Sequence, residues 1–446
     1  MNNVFEEQNI KKAVLKLGVP AMLGSLTTLI YNTADTWFVS MTKTPAMIAA
    51  VTLCTPVLLI IMSIACIFGM GGSSVIARWI GEGRKEDAAH CFNFCTYAMV
   101  AAALVVMVPG LLFTERIALI AGADAENLAY TCDYLRWIFL GTPFIMLANG
   151  FVHAFRSVGL IREATVGLAL GNGINIVFDW VFIVLLKWGT MGAAAATSLG
   201  FLCATLYYLC CLIREERRKN PCIRLSPKHF SAKRDMVVNV VKIGIPGALI
   251  TVLLSVSNIV LNNYIAIYGS DAVASYGIAY KIDMFPIMLS VGLSQGAAPL
   301  VGYCYGRRDA KRLESAMVVS VLYGMVLGAA FTAVLFFGSR VFAGVFLSEE
   351  ALVAQTARFL RLLCFHAPLL GVINMVTAYF QALGKAAHSL CITLLRNVVL
   401  FIPGVVLLNR LFGLTGVLLT QLVVECVITL LCVVLYLTNR PKKIVG

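Results

Sequence analysis

Polar side chains stand at helical spacing within two apolar stretches in the first half of the chain. Asp179 follows Asn175 by four residues, so the two lie on one face of a helix. Trp188 lies in the short turn between the two stretches. Asp179 lies nine residues before Trp188 and Thr197 nine residues after it, which places both about 13 Å from that turn. Carboxylate, amide and hydroxyl oxygens are suitable ligands for protons or hard cations such as Na⁺.

A second carboxylate is predicted at the same depth. Asp35 lies eight residues before Lys43 at the end of the first apolar stretch, about 12 Å deep by the helical rise. Asn32 is three residues earlier, on the same side of the helix. The sequence thus predicts a cation-binding layer made of Asp35, Asn175, Asp179, Thr197 and Asn32. Binding of Na⁺ at Asp35 and Asp179 would be transient, and neither a cofactor nor a resident metal is predicted.

The elements that carry these residues are predicted to be membrane-spanning helices. The chain is 60% hydrophobic and 13% charged, too apolar for a soluble core. Apolar runs of about 20 residues, enough to cross roughly 30 Å of hydrocarbon, occur twelve times. The predicted spans are 14–41, 46–77, 91–113, 127–152, 163–186, 190–213, 237–268, 271–301, 313–338, 353–380, 389–408 and 414–437.

The second half of the chain repeats the first at a spacing of about 225 residues. Lys16–Pro20 returns as Lys242–Pro246, and Gly83–Ala88 returns as Gly306–Ala310. The sequence therefore predicts two six-helix lobes related by a pseudo-two-fold axis along the membrane normal. The recurrence of Pro20 as Pro246 favours an architectural role, because a proline within a helix removes a backbone hydrogen bond.

An alternative role for the polar layer is hydrogen bonding between neighbouring helices. The repeat argues against it, because the positions equivalent to Asp35 and Asp179 are Leu261 and Gly404. The second half therefore packs the same helices without these carboxylates. Asn172 and Asn397, present in both halves, are better candidates for shared packing bonds.

Three further charged residues fall within apolar stretches of the second half. An acid at the centre of a membrane helix costs about 2.5 to 3.5 kcal/mol, so each needs a reason. Asp283 either lines a cavity or pairs with a nearby base, and Glu425 is predicted to pair with Arg396. Three histidines have no metal-ligand spacing and are expected to take ordinary packing or interfacial roles: His153, His366 and His388.

The basic residues predict the orientation in the membrane. Twelve spans put both termini on one side, and that side carries 25 of the 35 Lys and Arg residues. The opposite loops carry Lys43, Arg116, Lys187, Arg340 and Arg410. By the positive-inside rule the richer side is cytoplasmic. Membrane insertion thus explains the net charge of +13 better than nucleic-acid binding does.

A charged break at 214–236 is predicted to be a cytoplasmic linker between an N-terminal lobe, 1–213, and a C-terminal lobe, 237–446. Its basic residues are interpreted as a topology anchor in preference to a lipid-headgroup site. No cleavable signal peptide is predicted, because Met1–Gln8 is polar and the first apolar stretch is long. Most of the 14 cysteines fall inside predicted helices and are expected to act as small hydrophobic residues.

The chain resembles the multidrug and toxic compound extrusion (MATE) transporters over its whole length. The resemblance rests on the twelve spans in two repeats, Tyr31–Asp35 in the first span, the loops Gly83–Asp87 and Gly306–Asp309, and Gln381–Lys385. Within the family, the chain is similar to the DinF-like and MepA-like bacterial branch. That branch carries an aspartate in helix 1, Asn-x-x-x-Asp in helix 5 and a threonine in helix 6.

The resemblance implies cation coupling at Asp35, Asn175, Asp179 and Thr197. An acid in helix 8 is a MepA-like feature, which makes Asp283 a predicted contact for cationic substrate. Tyr31 and Asn258, the latter equivalent to Asn32, are also predicted substrate contacts. The NorM-like branch uses carboxylates in helices 7 and 10. Here helix 7 offers asparagines and helix 10 offers no carboxylate.

The sequence therefore predicts an all-α polytopic protein of the bacterial inner membrane with both termini cytoplasmic. The expected function is antiport: export of amphipathic, often cationic organic compounds in exchange for H⁺ or Na⁺, by a monomer. The alternative is a flippase for a lipid-linked precursor, although such proteins tend to add helices and line the cavity with arginines. No Ser/His/Asp set or metal cluster supports an enzyme, and no nucleic-acid partner is expected.

Overall fold

The computed structural model describes residues 4–42, 44–217, 223–226 and 230–441. The predicted linker is therefore described only in part. Six residues used to predict the topology lie outside the described residues: Lys43, Arg218, Lys219, Lys228, Lys442 and Lys443.

The described residues form helices and contain no strand, as expected of a chain whose backbone polar groups must be satisfied within lipid. After a 3₁₀ turn at Val4–Glu6, the first half contains α1 (Ile10–Ser40), α2 (Pro45–Gly81), α3 (Lys85–Leu112), α4 (Thr114–Ile120), α5 (Leu128–Ser157), α6 (Ile161–Asp179) and α7 (Gly189–Glu216). The second half contains α8 (Arg234–Ala266), α9 (Ser270–Gly306), α10 (Ala310–Phe346), α11 (Glu350–Leu363), α12 (Ala367–Ala382), α13 (Ala386–Leu394) and α14 (Phe401–Thr438).

Eleven helical segments in the described residues are long and apolar enough to cross a membrane. The last, Ala386–Thr438, contains two predicted spans, 389–408 and 414–437. It is broken at Gly413, whose backbone has φ 58° and ψ −141°, a conformation that favours glycine. The twelve predicted spans are therefore confirmed. The short helix α4 was not predicted.

Three spans contain irregular turns, and in the last of them a π-helical turn, Leu395–Val399, lies between α13 and α14. α11 and α12 form one span and meet at a 3₁₀ turn, Cys364–His366, just before Pro368. α6 continues beyond Asp179 as a π-helical turn, Trp180–Leu185. Such turns within membrane helices frequently occur at functional sites.

The chain divides into two compact units. The N-terminal unit comprises Leu23–Ala248, and the C-terminal unit comprises Met1–Met22 and Leu249–Gly446. The unit boundaries differ from the predicted lobe boundaries, because the first part of α1 belongs to the C-terminal unit and the first part of α8 to the N-terminal unit. The predicted lobes, 1–213 and 237–446, stay a prediction.

The starts of α1 and α8 pack against glycine-containing surfaces. In the C-terminal unit, a Cβ added to Gly296 of α9 would lie 2.6 Å from the carbonyl oxygen of Leu17. In the N-terminal unit, a Cβ on Gly244 of α8 would overlap the backbone of Ile67 in α2. These helices approach so closely only because the side chain is absent. The helix pairs α1–α9 and α8–α2 are equivalent in the sequence repeat, although the two glycines do not occupy equivalent positions.

Candidate functional site

Asp179 ends α6 immediately before the π-helical turn, and its side chain is completely buried. One turn earlier, Asn175 is also buried and donates a hydrogen bond from Nδ2 to Thr197 Oγ1 of α7 at 3.1 Å. The structure thus joins Asn175 to Thr197, and their association with Asp179 at one depth stays a prediction. The four-residue spacing places both α6 side chains toward α7.

Asp35 of α1 completes a carboxyl pair. Its carboxyl group is close enough to the Asp179 carboxyl group for the two to interact. Ionised carboxylates only accept hydrogen bonds, so a direct bond between the two requires that one of them carry a proton. The pair therefore provides a place where one proton can be shared.

The site has an excess of hydrogen-bond acceptors. Both oxygens of Asp179, Oδ1 of Asp35 and Oδ1 of Asn175 are buried, and no described residue donates a hydrogen bond to them. Burying ionised carboxylates without donors is costly, so such a group of oxygens favours a bound proton or metal cation. The arrangement has the chemistry of an exchangeable cation site.

Asn32 is the remaining residue of the predicted layer. It is exposed, and no contact in the described structure connects its side chain with Asp35, Asp179 or Thr197. The predicted placement of Asn32 in the layer therefore stays a prediction.

A small cavity of about 20 Å³ lies beside the site within the N-terminal unit. Its lining combines aromatic, amide and hydroxyl side chains, including Tyr31, Asn149, Asn172, Asn175, Thr197 and Phe201. A cavity of this size has room for about one water molecule. Asn175 and Thr197 belong both to this lining and to the cation site, so the cavity and the cation site adjoin.

The two asparagines predicted to serve packing differ in their contacts. Asn172 Nδ2 lies 3.2 Å from Thr27 Oγ1 and 3.3 Å from Thr28 Oγ1, which connects α6 with α1. The Nδ2 of Asn397 donates within its own segment to Thr393, and its backbone oxygen accepts from Ser257 of α8. The packing role predicted for Asn172 is therefore confirmed, whereas at Asn397 the interhelical bond uses the backbone.

The charged residues predicted in the second half form one cluster in the C-terminal unit. Arg396 pairs with Glu425 at 2.7 Å between Nη2 and Oε1, as predicted. Asp283 is 1% exposed and pairs with a base, its Oδ2 lying 2.7 Å from Nε2 of His366. Asp283 was predicted either to line a cavity or to pair with a nearby base, and in the structure it pairs with a base. The predicted contact of Asp283 with substrate is untested.

His366 is the residue that the sequence interpretation missed. It is 1% exposed and contacts both Asp283 and Glu425, so an ordinary packing or interfacial role is wrong. Its partners lie 83 and 59 positions away in the sequence, and no local motif connects them. The signal for this role of His366 in the sequence was the presence of two acids within apolar stretches, Asp283 and Glu425, because buried acids are stabilised by a nearby base.

Asn258, a predicted substrate contact on α8, is half-buried and donates from Nδ2 to the hydroxyl of Tyr280 at 3.2 Å. Tyr280 in turn stacks on Tyr276 of the same helix. Asn258 is thus fixed by an aromatic pair of α9. Its role in substrate contact stays a prediction.

The MatE family model matches residues 20–181 and again residues 246–407. The chain therefore belongs to the MATE family of transporters, which confirms the resemblance and the prediction that it is not an enzyme. The two matched segments begin 226 residues apart, in agreement with the repeat read from the sequence.

Similar proteins extend over the full length of the chain. The multidrug export protein MepA of Staphylococcus haemolyticus is 31% identical over 438 residues, covering 98% of this chain and 96% of that protein. MepA of Staphylococcus aureus strain MRSA252 is 29% identical over the same length, with the same coverage. A crystal structure of MATE in complex with MaL6 has a TM-score of 0.94, 25% identity and coverage of 100% of this chain and 99% of that one. An outward-facing multidrug resistance MATE transporter has a TM-score of 0.93 at 25% identity, with the same coverage.

Proposed function

We propose that this chain exports amphipathic, often cationic organic compounds in exchange for H⁺ or Na⁺. The observation that carries the proposal is the pair of the half-buried Asp35 and the buried Asp179, of which three buried carboxyl oxygens have no hydrogen-bond donor among the described residues. The names of the similar multidrug export proteins support the class of substrate. They favour multidrug export over the flippase alternative.

In the proposed cycle, Asp35 and Asp179 take up the cation with Asn175 and Thr197 as supporting oxygens. Cation binding removes the repulsion between the two carboxylates, and release of the cation restores it. The energetic difference between these states would bias the transporter between inward-facing and outward-facing conformations. Binding and release of the cation are therefore the proposed switch.

Tyr31 and Asn258 are the proposed substrate contacts. Tyr31 lines the cavity beside the cation site, and Asn258 is held by Tyr280 in the C-terminal unit. Asp283 is not included, because its carboxyl group is buried and bonded to His366. We further propose that the protein is a monomer of the inner membrane with both termini in the cytoplasm.

Efflux from vesicles tests this function. Purified protein in liposomes loaded with ethidium, a cationic aromatic dye, would be given a proton gradient or a sodium gradient separately. We expect dye efflux with at least one gradient and not with empty liposomes. Failure of both gradients to drive efflux by folded protein would contradict antiport.

A further inference from the structure

The C-terminal unit contains a second buried group of titratable side chains. His366, in the 3₁₀ turn between α11 and α12, lies between two acids. Its Nε2 is 2.7 Å from Asp283 Oδ2 of α9, and its Nδ1 is 2.9 Å from Glu425 Oε2 of α14. All three residues are at most 1% exposed.

The other oxygen of Glu425 is also occupied. Arg396 Nη2 donates to Oε1 at 2.7 Å, and Gln421 Nε2 donates to the same atom at 2.6 Å. Asp283 is different, because its Oδ1 is buried and has no partner in the described structure. Both carboxyl oxygens of Glu425 therefore have partners, whereas only one carboxyl oxygen of Asp283 does.

The hydrogen-bond geometry sets the number of protons in this cluster. Both ring nitrogens of His366 face carboxyl oxygens, and neutral imidazole has only one N–H to donate. Either His366 is doubly protonated, or one of the two carboxyl groups is protonated. In both cases the cluster holds one proton more than neutral imidazole and two carboxylates would hold.

The charge balance leads to the same count. With that proton, the cluster is neutral in either arrangement. If His366 is doubly protonated, His366 and Arg396 balance two carboxylates; if one acid is protonated, Arg396 balances the remaining carboxylate. Without it, one net negative charge remains in a buried place, which is strongly unfavourable. Losing the proton therefore requires a change in the surroundings, such as access of water or arrival of a cation.

Other groups that face the cluster do not alter this balance. The titratable ones are two phenols and two thiols, ordinarily neutral at physiological pH: Tyr276, Tyr280, Cys364 and Cys432. Arg361 of α11 bonds instead to Ser339 of α10, and Lys281 of α9 is exposed. The only fixed cation within the described cluster is Arg396.

We propose that Asp283, His366 and Glu425 form a second proton-binding site, separate from the Asp35–Asp179 pair, which gives up one proton when a cationic substrate binds. Tyr280 lies one helical turn before Asp283 and holds Asn258, a proposed substrate contact. A cation arriving near Asn258 would replace the proton as the balancing charge. The release of a proton on binding of a cationic substrate rests on the proposed export function.

The competing possibility is a purely structural ion cluster that fixes α9, α14 and the turn between α11 and α12. A charge-matched double variant separates the two. D283N/H366Q removes one acid and the imidazole, leaves Glu425 balanced by Arg396, and holds no exchangeable proton. His388→Gln is the matched control, because His388 stacks on Phe380 outside the cluster.

Proton release on binding of ethidium would be counted with a pH indicator in weakly buffered solutions of purified protein. We expect D283N/H366Q to release one proton fewer per protein than the wild type, and His388→Gln to match the wild type. Equal release by D283N/H366Q that still binds ethidium would overturn the proposal. Vectorial efflux is not needed, so this failure is distinguishable from failure of the proposed export function.

If the double variant does not fold or bind dye, the wild type itself gives the answer. ¹⁵N NMR of histidine-labelled protein in lipid reports the protonation of each ring nitrogen, and the His366 signals are assigned by their loss in His366→Gln. We expect the His366 signals to change when ethidium binds. Signals that stay unchanged with dye and across the pH range in which the protein is folded would overturn the proposal.

Discussion

At the scale of single residues, the properties of the candidate site follow from its buried carboxyl oxygens, which lack hydrogen-bond donors. Asp179 has two buried oxygens without donors, and its carboxyl group interacts with that of Asp35. Two ionised carboxylates this close in a medium of low dielectric constant repel each other strongly. A proton or Na⁺ removes that repulsion, which couples occupancy of the site to the energy of the protein.

Removing the hydroxyl of Thr197 is predicted to weaken cation coupling. Thr197→Val leaves Nδ2 of Asn175 without its acceptor, at a cost of about 1 to 3 kcal/mol for an unsatisfied buried group. The cation concentration for half-maximal efflux should therefore rise about tenfold. Efflux rates measured over a series of cation concentrations would show it.

Thr197→Ser is the matched control for this change, because it keeps the hydroxyl group. It should behave like the wild type. Equal cation dependence of Thr197→Val and Thr197→Ser would remove this hydrogen bond from the coupling site.

Asp35 is predicted to be needed as the partner of Asp179. Asp35→Asn removes one charge of the pair, so cation binding no longer relieves repulsion between two carboxylates. We expect ion-driven efflux to fall to near the background of empty liposomes, whereas dye binding to the purified protein is retained. Wild-type gradient dependence of Asp35→Asn efflux would contradict the shared site.

The sequence predicted the residues of the first site better than those of the second. Asn175, Asp179 and Thr197 are set by helical spacing and a short turn, both local properties. His366 meets its acids only through packing of distant helices, and no periodicity carries that information.

At the scale of helices, small residues decide which segments pack together. Gly296 of α9 lies against Leu17 at the start of α1, and Gly244 of α8 lies against Ile67 of α2. Close backbone approach of this kind compensates for the absence of a hydrophobic driving force between helices in lipid. Glycines thus allow close approach in both equivalent helix pairs of the repeat.

Gly296→Val is predicted to destabilise the protein by about 1 to 3 kcal/mol, because the new side chain would overlap the backbone of α1. Gly277→Val in the same helix is the matched control, since nothing lies within 4 Å of a Cβ added there. Thermal unfolding in detergent measures both. A melting temperature for Gly296→Val equal to that of Gly277→Val would contradict the close packing.

The presence of the long helices was predictable from the sequence, whereas the positions at which helices end or break were not. Runs of apolar residues long enough to cross a bilayer identify the spans. The break at Gly413 and the turn at Cys364–His366 depend on single backbone conformations within continuous apolar stretches. The short helix α4 is too brief to give a periodic signal.

At the scale of the whole molecule, the chain is a duplicated six-helix unit whose two copies have diverged in their polar residues. The N-terminal unit holds a carboxyl pair with amide and hydroxyl partners. The C-terminal unit holds two acids balanced by His366 and Arg396. Duplication supplied the helices, and divergence gave each copy its own ionisable group.

The orientation in the membrane is predicted from the asymmetry of basic residues. On a cysteine-free background, Ala232→Cys in the predicted cytoplasmic linker and Ala125→Cys in an opposite loop are both exposed replacements of alanine. A membrane-impermeant thiol reagent added to intact cells should label Ala125→Cys and not Ala232→Cys. The reverse labelling would invert the proposed topology.

The central claim is that the carboxyl pair of Asp35 and Asp179 carries the coupling cation. Its most direct test is ion-driven ethidium efflux by Asp179→Asn in liposomes, beside Asp133→Asn, an exposed aspartate paired with Arg136 on α5. We predict that Asp179→Asn loses gradient-driven efflux although it is folded and inserted, and that Asp133→Asn retains it. Efflux by Asp179→Asn at the wild-type rate, with the wild-type dependence on the gradient, would contradict the claim.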